Sequence, residues 1–137
     1  MNQQRTQNRI LGHLACVHWL FFILGWSQRI LGLWMLIYNG YFLLPSSGTS
    51  TANLGTLIFI VGLGLGVALL AISSSYLKVA RQYQFARHEL EVPDTIPLIV
   101  ATVLGCFLFA PIAIPAGVYA LYVRSKLIVY WDRSGKE

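Results

Sequence analysis

Long apolar runs with no Lys, Arg, Asp or Glu dominate this sequence. They occupy residues 10–26, 30–44, 54–77 and 96–123. A soluble domain carries about 25% charged residues, whereas this chain has 11%, which leaves too little polar surface to cover a water-soluble core. Disorder is also excluded, because it requires low hydrophobicity. The sequence therefore predicts a membrane protein.

The apolar runs are long enough to cross a bilayer as helices. A hydrocarbon core about 30 Å thick needs about 20 residues of helix, and backbone N–H and C=O groups within it must be paired inside the protein. The alternating pattern of a membrane β-barrel is absent. We expect one all-α integral membrane domain over residues 1–137, a bundle of about four transmembrane segments.

The last apolar run is too long for a single straight crossing. Pro111 and Pro115 lie in its second half, and proline inside a helix removes a hydrogen bond and clashes with the preceding turn. We expect this run to be broken or hairpin-like at these prolines. Upstream, residues 78–92 show apolar positions at helical spacing with basic residues between them, which predicts an amphipathic surface helix.

The basic residues bear on topology. The net charge is +5, and Lys and Arg flank the apolar runs, as orienting charges do beside membrane spans. A hairpin in the last run places residues 78–95 and the C-terminus on one side, together with most of the basic residues. Whether residues 10–44 make one crossing or two stays open, as does the side of the N-terminus.

Residues 111–123, PIAIPAGVYALYV, resemble the C-terminal signature of a widespread group of small bacterial multi-span membrane proteins of unassigned function. That signature pairs a proline with Gly-x-Tyr-x-Leu-aromatic-Val. The resemblance implies a terminal helical hairpin and the bacterial cytoplasmic membrane, or a specialised internal membrane, and it implies no activity. The chain departs from the pattern at Pro115 and in an N-terminal region interrupted by Arg29.

Side chains that carry chemistry are scarce at membrane depth. All five acidic residues lie outside the apolar runs: Glu89, Glu91, Asp94, Asp132 and Glu137. Ion-coupled transport usually uses an ionisable group at that depth, and a hydrolase uses paired acid–base groups. Cys16 and Cys106 are far apart and lack metal-ligand spacing. We therefore expect no enzyme, no catalytic residue and no metal site.

His13 and His18 are candidate cofactor ligands inside the first run. Five positions apart on a helix, they point about 140° away from each other at about 100° per residue, so they do not hold one metal together. Each alone is suited to ligate a haem or a chlorophyll-type pigment. The simpler interpretation is hydrogen bonding to headgroups for His13 and to a neighbouring helix for His18, with no cofactor.

Small residues share one face of the third run. They are Gly55, Gly62, Gly66 and Ser73. Such a face lets another helix approach closely, and that helix belongs either to the same chain or to a second subunit. Ala113 and Gly117 present a similar surface on the last run.

Several basic residues are predicted to contact anionic lipid headgroups. They are Arg81, Arg87, Arg124 and Lys126. Because basic residues flank apolar runs here, we expect lipid and not nucleic acid as their partner.

These observations predict a non-catalytic protein that packs against other membrane helices. It would serve as an accessory subunit or assembly factor of a larger membrane complex, or form a homo-oligomer. One alternative is a small oligomeric channel or transporter lined by Gly62, Gly66, Ser73 and Asn39. Another is a haem- or pigment-binding subunit that uses His18.

Overall fold

The computed structural model describes residues 2–43 and 54–134. It contains three helices, α1 (Asn2–Leu43), α2 (Leu54–Glu89) and α3 (Thr95–Ser134), and these described residues form no strand. The all-helical prediction is confirmed. All three helices are long and apolar enough to cross a membrane.

The first two predicted segments belong to one helix. Residues 27–29, Ser-Gln-Arg, contain neither glycine nor proline, so the helix passes through them without a break. With 42 residues, α1 is about 63 Å long at about 1.5 Å per residue. The prediction of about four segments with a boundary between 10–26 and 30–44 is therefore not confirmed; residue 44 lies outside the described residues.

The predicted surface helix over 78–92 is not a separate element. Residues 78–89 continue α2 directly, and the helix ends before Leu90, whose φ of 55° is the left-handed conformation common just after a helix C-terminus. Its periodic apolar residues are buried inside the protein: Tyr76, Val79, Ala80, Tyr83 and Ala86. The amphipathic pattern therefore reflects packing against the other two helices.

α3 contains one sharp break. Phe109 has φ −141° and ψ 50°, outside the helical range, two positions before Pro111. In a continuous helix Pro111 would lack the N–H for its hydrogen bond and clash with the carbonyl four residues earlier, whereas proline is tolerated in a first helical turn. The break at Phe109 places Pro111 in the first turn of the second arm. The break lies ahead of Pro115, which remains inside the second arm.

The two arms of α3 lie side by side. A Cβ at Gly105 would come within 2.8 Å of the Ala113 Cβ, and one at Gly117 would collide with Thr102. Residues 102 and 117 would be about 22 Å apart in a straight helix, so these contacts require residues 110–134 to run back along 95–108. α3 is a helical hairpin.

α1 and α2 form a long antiparallel pair. Near its middle the two backbones touch, because a Cβ at Gly32 would lie 3.0 Å from the Gly66 carbonyl oxygen. At the far end, the Phe42 and Phe59 rings stack at 5.1 Å. The α3 hairpin covers only the other half of this pair, where the core includes Phe21 and residues of α2 and α3.

We predict that Gly32→Ala destabilises the protein. The added methyl group must fit against the Gly66 backbone, which cannot rotate away, and such overpacking typically costs about 1–3 kcal/mol. The matched control is Gly12→Ala, because a Cβ there meets no neighbouring atom within 4 Å. Thermal melting in detergent, followed by circular dichroism, should show a lower midpoint for Gly32→Ala alone. Equal midpoints for both variants would contradict the close α1–α2 contact.

Candidate functional site

Basic side chains gather at one end of the molecule, where α1 begins, α2 ends and both arms of α3 have their open ends. The Arg124 Nε donates a 2.9 Å hydrogen bond to the Pro93 carbonyl, and the Trp131 Nε1 donates to the Leu90 carbonyl. These two bonds tie the second arm of α3 to the segment that links α2 and α3. Arg124, predicted to contact lipid, therefore has a structural partner within the chain.

A cavity of about 310 Å³ lies between the first turns of α1 and the last turns of α3. Its cationic side chains are Arg9, Lys126 and Arg133. Its other lining residues are Thr6, Ile10, His13, Tyr122, Val129 and Tyr130. We refer to it as the basic cavity. Lys126 is the only member of the predicted headgroup set that lines it, whereas Arg81 and Arg87 lie elsewhere on the exposed surface of α2.

The basic cavity combines fixed positive charge with an apolar wall. Arg and Lys side chains are fully protonated near pH 7, and within the described residues no Asp or Glu lines the cavity. Guanidinium groups bind phosphate and carboxylate oxygens in a bidentate manner. Ile10, Val129 and the tyrosine rings supply apolar surface beside these charges. The arrangement suits an anionic group with an apolar attachment.

Two hydrogen bonds position the arm that carries Lys126 and Arg133. The buried Tyr83 hydroxyl on α2 donates to the Ala120 carbonyl at 2.8 Å. The Tyr119 hydroxyl and the His13 Nδ1 share a hydrogen bond of 2.8 Å. His13, predicted as a cofactor ligand or headgroup contact, thus joins α1 to α3 at the rim of the basic cavity.

His18 is held by the backbone of α2. Its Nδ1 donates to the Ala80 carbonyl at 2.7 Å, and its ring lies 5.6 Å from Trp19 and 5.9 Å from Phe22. His13 and His18 therefore have separate partners. Over residues 2–43 and 54–134, no group of three or more His, Cys, Asp or Glu side chains is placed to hold a metal ion.

The small residues of the third apolar run mostly face α1. A Cβ at Gly62 would collide with the Asn39 side chain, and one at Gly66 would lie 3.1 Å from the Gly32 carbonyl oxygen. Ser73 is fully buried and donates to a carbonyl of its own helix. A Cβ at Gly55, by contrast, would meet no neighbouring atom within 4 Å. The close helix approach at this stripe is therefore within the chain.

Small residues serve the same purpose in α3. Ala113 packs against Gly105, and Gly117 packs against Thr102. Gly105 also lies directly against the Tyr76 hydroxyl of α2, so the hairpin is packed closely both within itself and against α2.

No protein-family model, curated protein or solved structure matches this chain. The resemblance of residues 111–123 to a bacterial membrane-protein signature therefore stays a prediction.

Removing the Tyr83 hydroxyl should loosen the arm that carries Lys126 and Arg133. Tyr83 is 0% exposed, and we expect Tyr83→Phe to cost about 1 kcal/mol, the usual net contribution of one hydrogen bond. Tyr41→Phe is the control, because Tyr41 is 71% exposed. Denaturant titration in mixed micelles measures both variants. If Tyr83→Phe matched the wild-type protein, this bond would not hold the arm.

Proposed function

We propose that this protein is a non-catalytic integral membrane protein of the bacterial cytoplasmic membrane that acts by packing against other membrane helices. It does so as an accessory subunit or assembly factor of a larger complex, or as a homo-oligomer. The observation that supports this proposal is the length of the apolar surface on the α1–α2 pair, compared with the thickness of a bilayer.

The apolar part of this pair is longer than a hydrocarbon core is thick. From Ile10 to Phe42, α1 measures about 50 Å at about 1.5 Å per residue, whereas the hydrocarbon core is about 30 Å thick. A tilt of about 40°, the upper end of the usual range, still leaves a projection of about 38 Å. Tilting alone therefore does not bring the whole surface into lipid.

A single bilayer can be placed around either end of this surface, and each position leaves a defect. A bilayer placed around the α3 hairpin extends from the level of Arg9 to that of Arg29, which are about 30 Å apart along α1. It submerges the exposed Lys78, Arg81 and Arg87 of α2, because this part of α2 lies beside the same part of α1, as the bond from His18 to Ala80 shows. The far end of the pair then projects beyond it. Exposed side chains there are Leu33, Trp34, Ile37, Tyr41, Leu57, Ile58 and Val61.

A bilayer placed around the far end of the pair has the opposite defect. It leaves the exposed outer surface of the hairpin near its open end, including Val118 and Leu121, outside the lipid, and it submerges Arg29. Contiguous apolar patches of this kind mark protein interfaces when water would otherwise cover them. Packing against other helices would cover the apolar surface that lies outside a single bilayer.

The lengths of the helices also support a particular membrane topology. The first arm of α3, residues 95–108, is about 21 Å long, too short for a 30 Å core, so we infer that the hairpin enters and leaves the membrane on one side. α1 then makes one crossing and α2 the second. The start of α1, the end of α2 and both open ends of α3 share the basic side, which the positive-inside rule assigns to the cytoplasm.

Reporter fusions test this topology. We expect a C-terminal green fluorescent protein fusion to fluoresce and a C-terminal alkaline phosphatase fusion to be inactive, because the C-terminus is cytoplasmic. Alkaline phosphatase inserted after Ser50 is the control and should be active. An active C-terminal phosphatase fusion would show that α3 crosses the membrane.

Native mass spectrometry after mild detergent extraction tests the packing function. We expect a species heavier than the 15.3 kDa chain, either a multiple of it or a complex with another subunit. The variant Ile37→Ala/Tyr41→Ala should reduce that species, because it truncates the projecting end. Phe85→Ala is the control, since Phe85 is 65% and Ile37 72% exposed and Phe85 lies in neither the projecting end nor the hairpin. A colourless monomer without partners would contradict the proposal.

One observation favours a second candidate, a haem- or pigment-binding subunit. Because His18 Nδ1 donates to the Ala80 carbonyl, Nε2 is the ring nitrogen left for a metal. Metal-ligating histidines commonly donate their other N–H to a carbonyl in this way. The absorption spectrum of purified protein tests this candidate: a Soret or chlorophyll band that His18→Leu removes and His88→Leu retains supports it, and a colourless wild-type protein excludes it.

The channel alternative has no comparable support. The residues proposed to line its path are Gly62, Gly66, Ser73 and Asn39. They pack in the contact between α1 and α2, so a path along them would require the two helices to separate.

A further inference from the structure

We propose that the basic cavity binds the headgroup of one phosphate-bearing lipid with two negative charges. This inference rests on the proposed membrane location and deepens it, because it assigns a stoichiometric ligand to particular residues. A phosphomonoester headgroup or two linked phosphodiesters carry such a charge. General attraction of a basic surface to an anionic bilayer requires neither a cavity nor a fixed set of side chains.

The charges of the cavity come from distant parts of the chain. Arg9 belongs to the first turns of α1, whereas Lys126 and Arg133 belong to the last turns of α3. All three line one cavity, so an anion bound between them would lower their mutual repulsion. A single phosphodiester offers one negative charge and a dianionic headgroup offers two, so the latter neutralises the site more completely.

The size and lining of the cavity favour a lipid. Its volume of about 310 Å³ falls in the range of about 300–1,000 Å³ typical of small-molecule sites, which accommodates a phosphate and a glycerol unit. Ile10 and Val129 form an apolar wall against which the start of an acyl chain packs. A soluble phosphate would use the cationic side chains and leave this wall empty.

The position of the cavity suits a headgroup as well. Arg9 lies at the basic end, where α1 begins and α2 ends. Tyr122 and Tyr130 line the cavity, and tyrosine is typical of the membrane–water interface. A bound headgroup would therefore join the start of α1 to the end of α3 at the level of the lipid phosphates.

Binding to delipidated protein in detergent tests the proposal. The lipid probes are phosphatidic acid, cardiolipin, phosphatidylglycerol and phosphatidylcholine, and the soluble probes are inorganic phosphate and glycerol 3-phosphate. Native mass spectrometry counts bound lipids, and thermal shift gives the affinity of each probe. We expect one phosphatidic acid or cardiolipin per chain, bound at least tenfold more tightly than phosphatidylglycerol and the soluble anions.

Matched variants distinguish lipid binding in the cavity from general attraction to a basic surface. Arg9→Gln and Arg133→Gln should each weaken phosphatidic acid binding at least tenfold, whereas Arg81→Gln and Arg87→Gln, which remove the same charge outside the cavity, should change it less than twofold. Circular dichroism verifies that each variant is folded. Lys126→Gln provides a second cavity variant should one of the arginine variants fail to fold.

Each alternative outcome overturns a stated part of the proposal. Equal losses in cavity and control variants would show non-specific attraction, and equal affinity for inorganic phosphate would show a soluble-anion site. Equal affinity for phosphatidylglycerol would refute the preference for two charges. Membrane fractionation distinguishes failure of the proposed function from failure of the lipid site. Release of the chain from the membrane fraction by carbonate would refute membrane integration, whatever the binding assay shows.

Discussion

The contact between the Gly32 and Gly66 backbones is the interaction on which the rest of the structure depends. In lipid, hydrophobicity provides no drive for two helices to associate, so close packing must do so. Glycine on both sides lets α1 and α2 approach until a Cβ on Gly32 would lie 3.0 Å, and one on Gly66 3.1 Å, from the carbonyl oxygen of the other glycine. This pairing aligns the buried face of α2, with Tyr76 and Tyr83, beside α1 and provides the surface on which α3 packs.

The α3 hairpin packs against one half of that pair and makes the two ends of the molecule different. The break at Phe109 sends the second arm back toward the α2–α3 link, where Arg124 and Trp131 bond to backbone carbonyls. The return brings the last turns of α3 beside the first turns of α1. The basic cavity is thus a product of the chain reversal, because its cations lie on segments that meet only after α3 has folded back.

The apolar length of α1 also exceeds the thickness of one hydrocarbon core, about 30 Å. The α1–α2 pair extends well past the apex of the α3 hairpin, and the hairpin itself has an apolar outer surface. Packing within the chain already uses the small residues at Gly62, Gly66 and Gly117. Association with other helices would therefore involve the large exposed side chains of the projecting end, and not the glycine stripe that the sequence pattern indicates.

The sequence by itself determined the helical, apolar character of the chain, because uncharged runs of this length have no other way to pair their backbone groups in lipid. Proline chemistry also placed a break near Pro111. Tertiary structure decided what the periodic face of residues 78–89 packs against, since an amphipathic pattern is the same for a membrane surface and a protein core. It alone placed Arg9 and Arg133 on one cavity, because no local pattern in either segment encodes the proximity of residues so far apart in sequence.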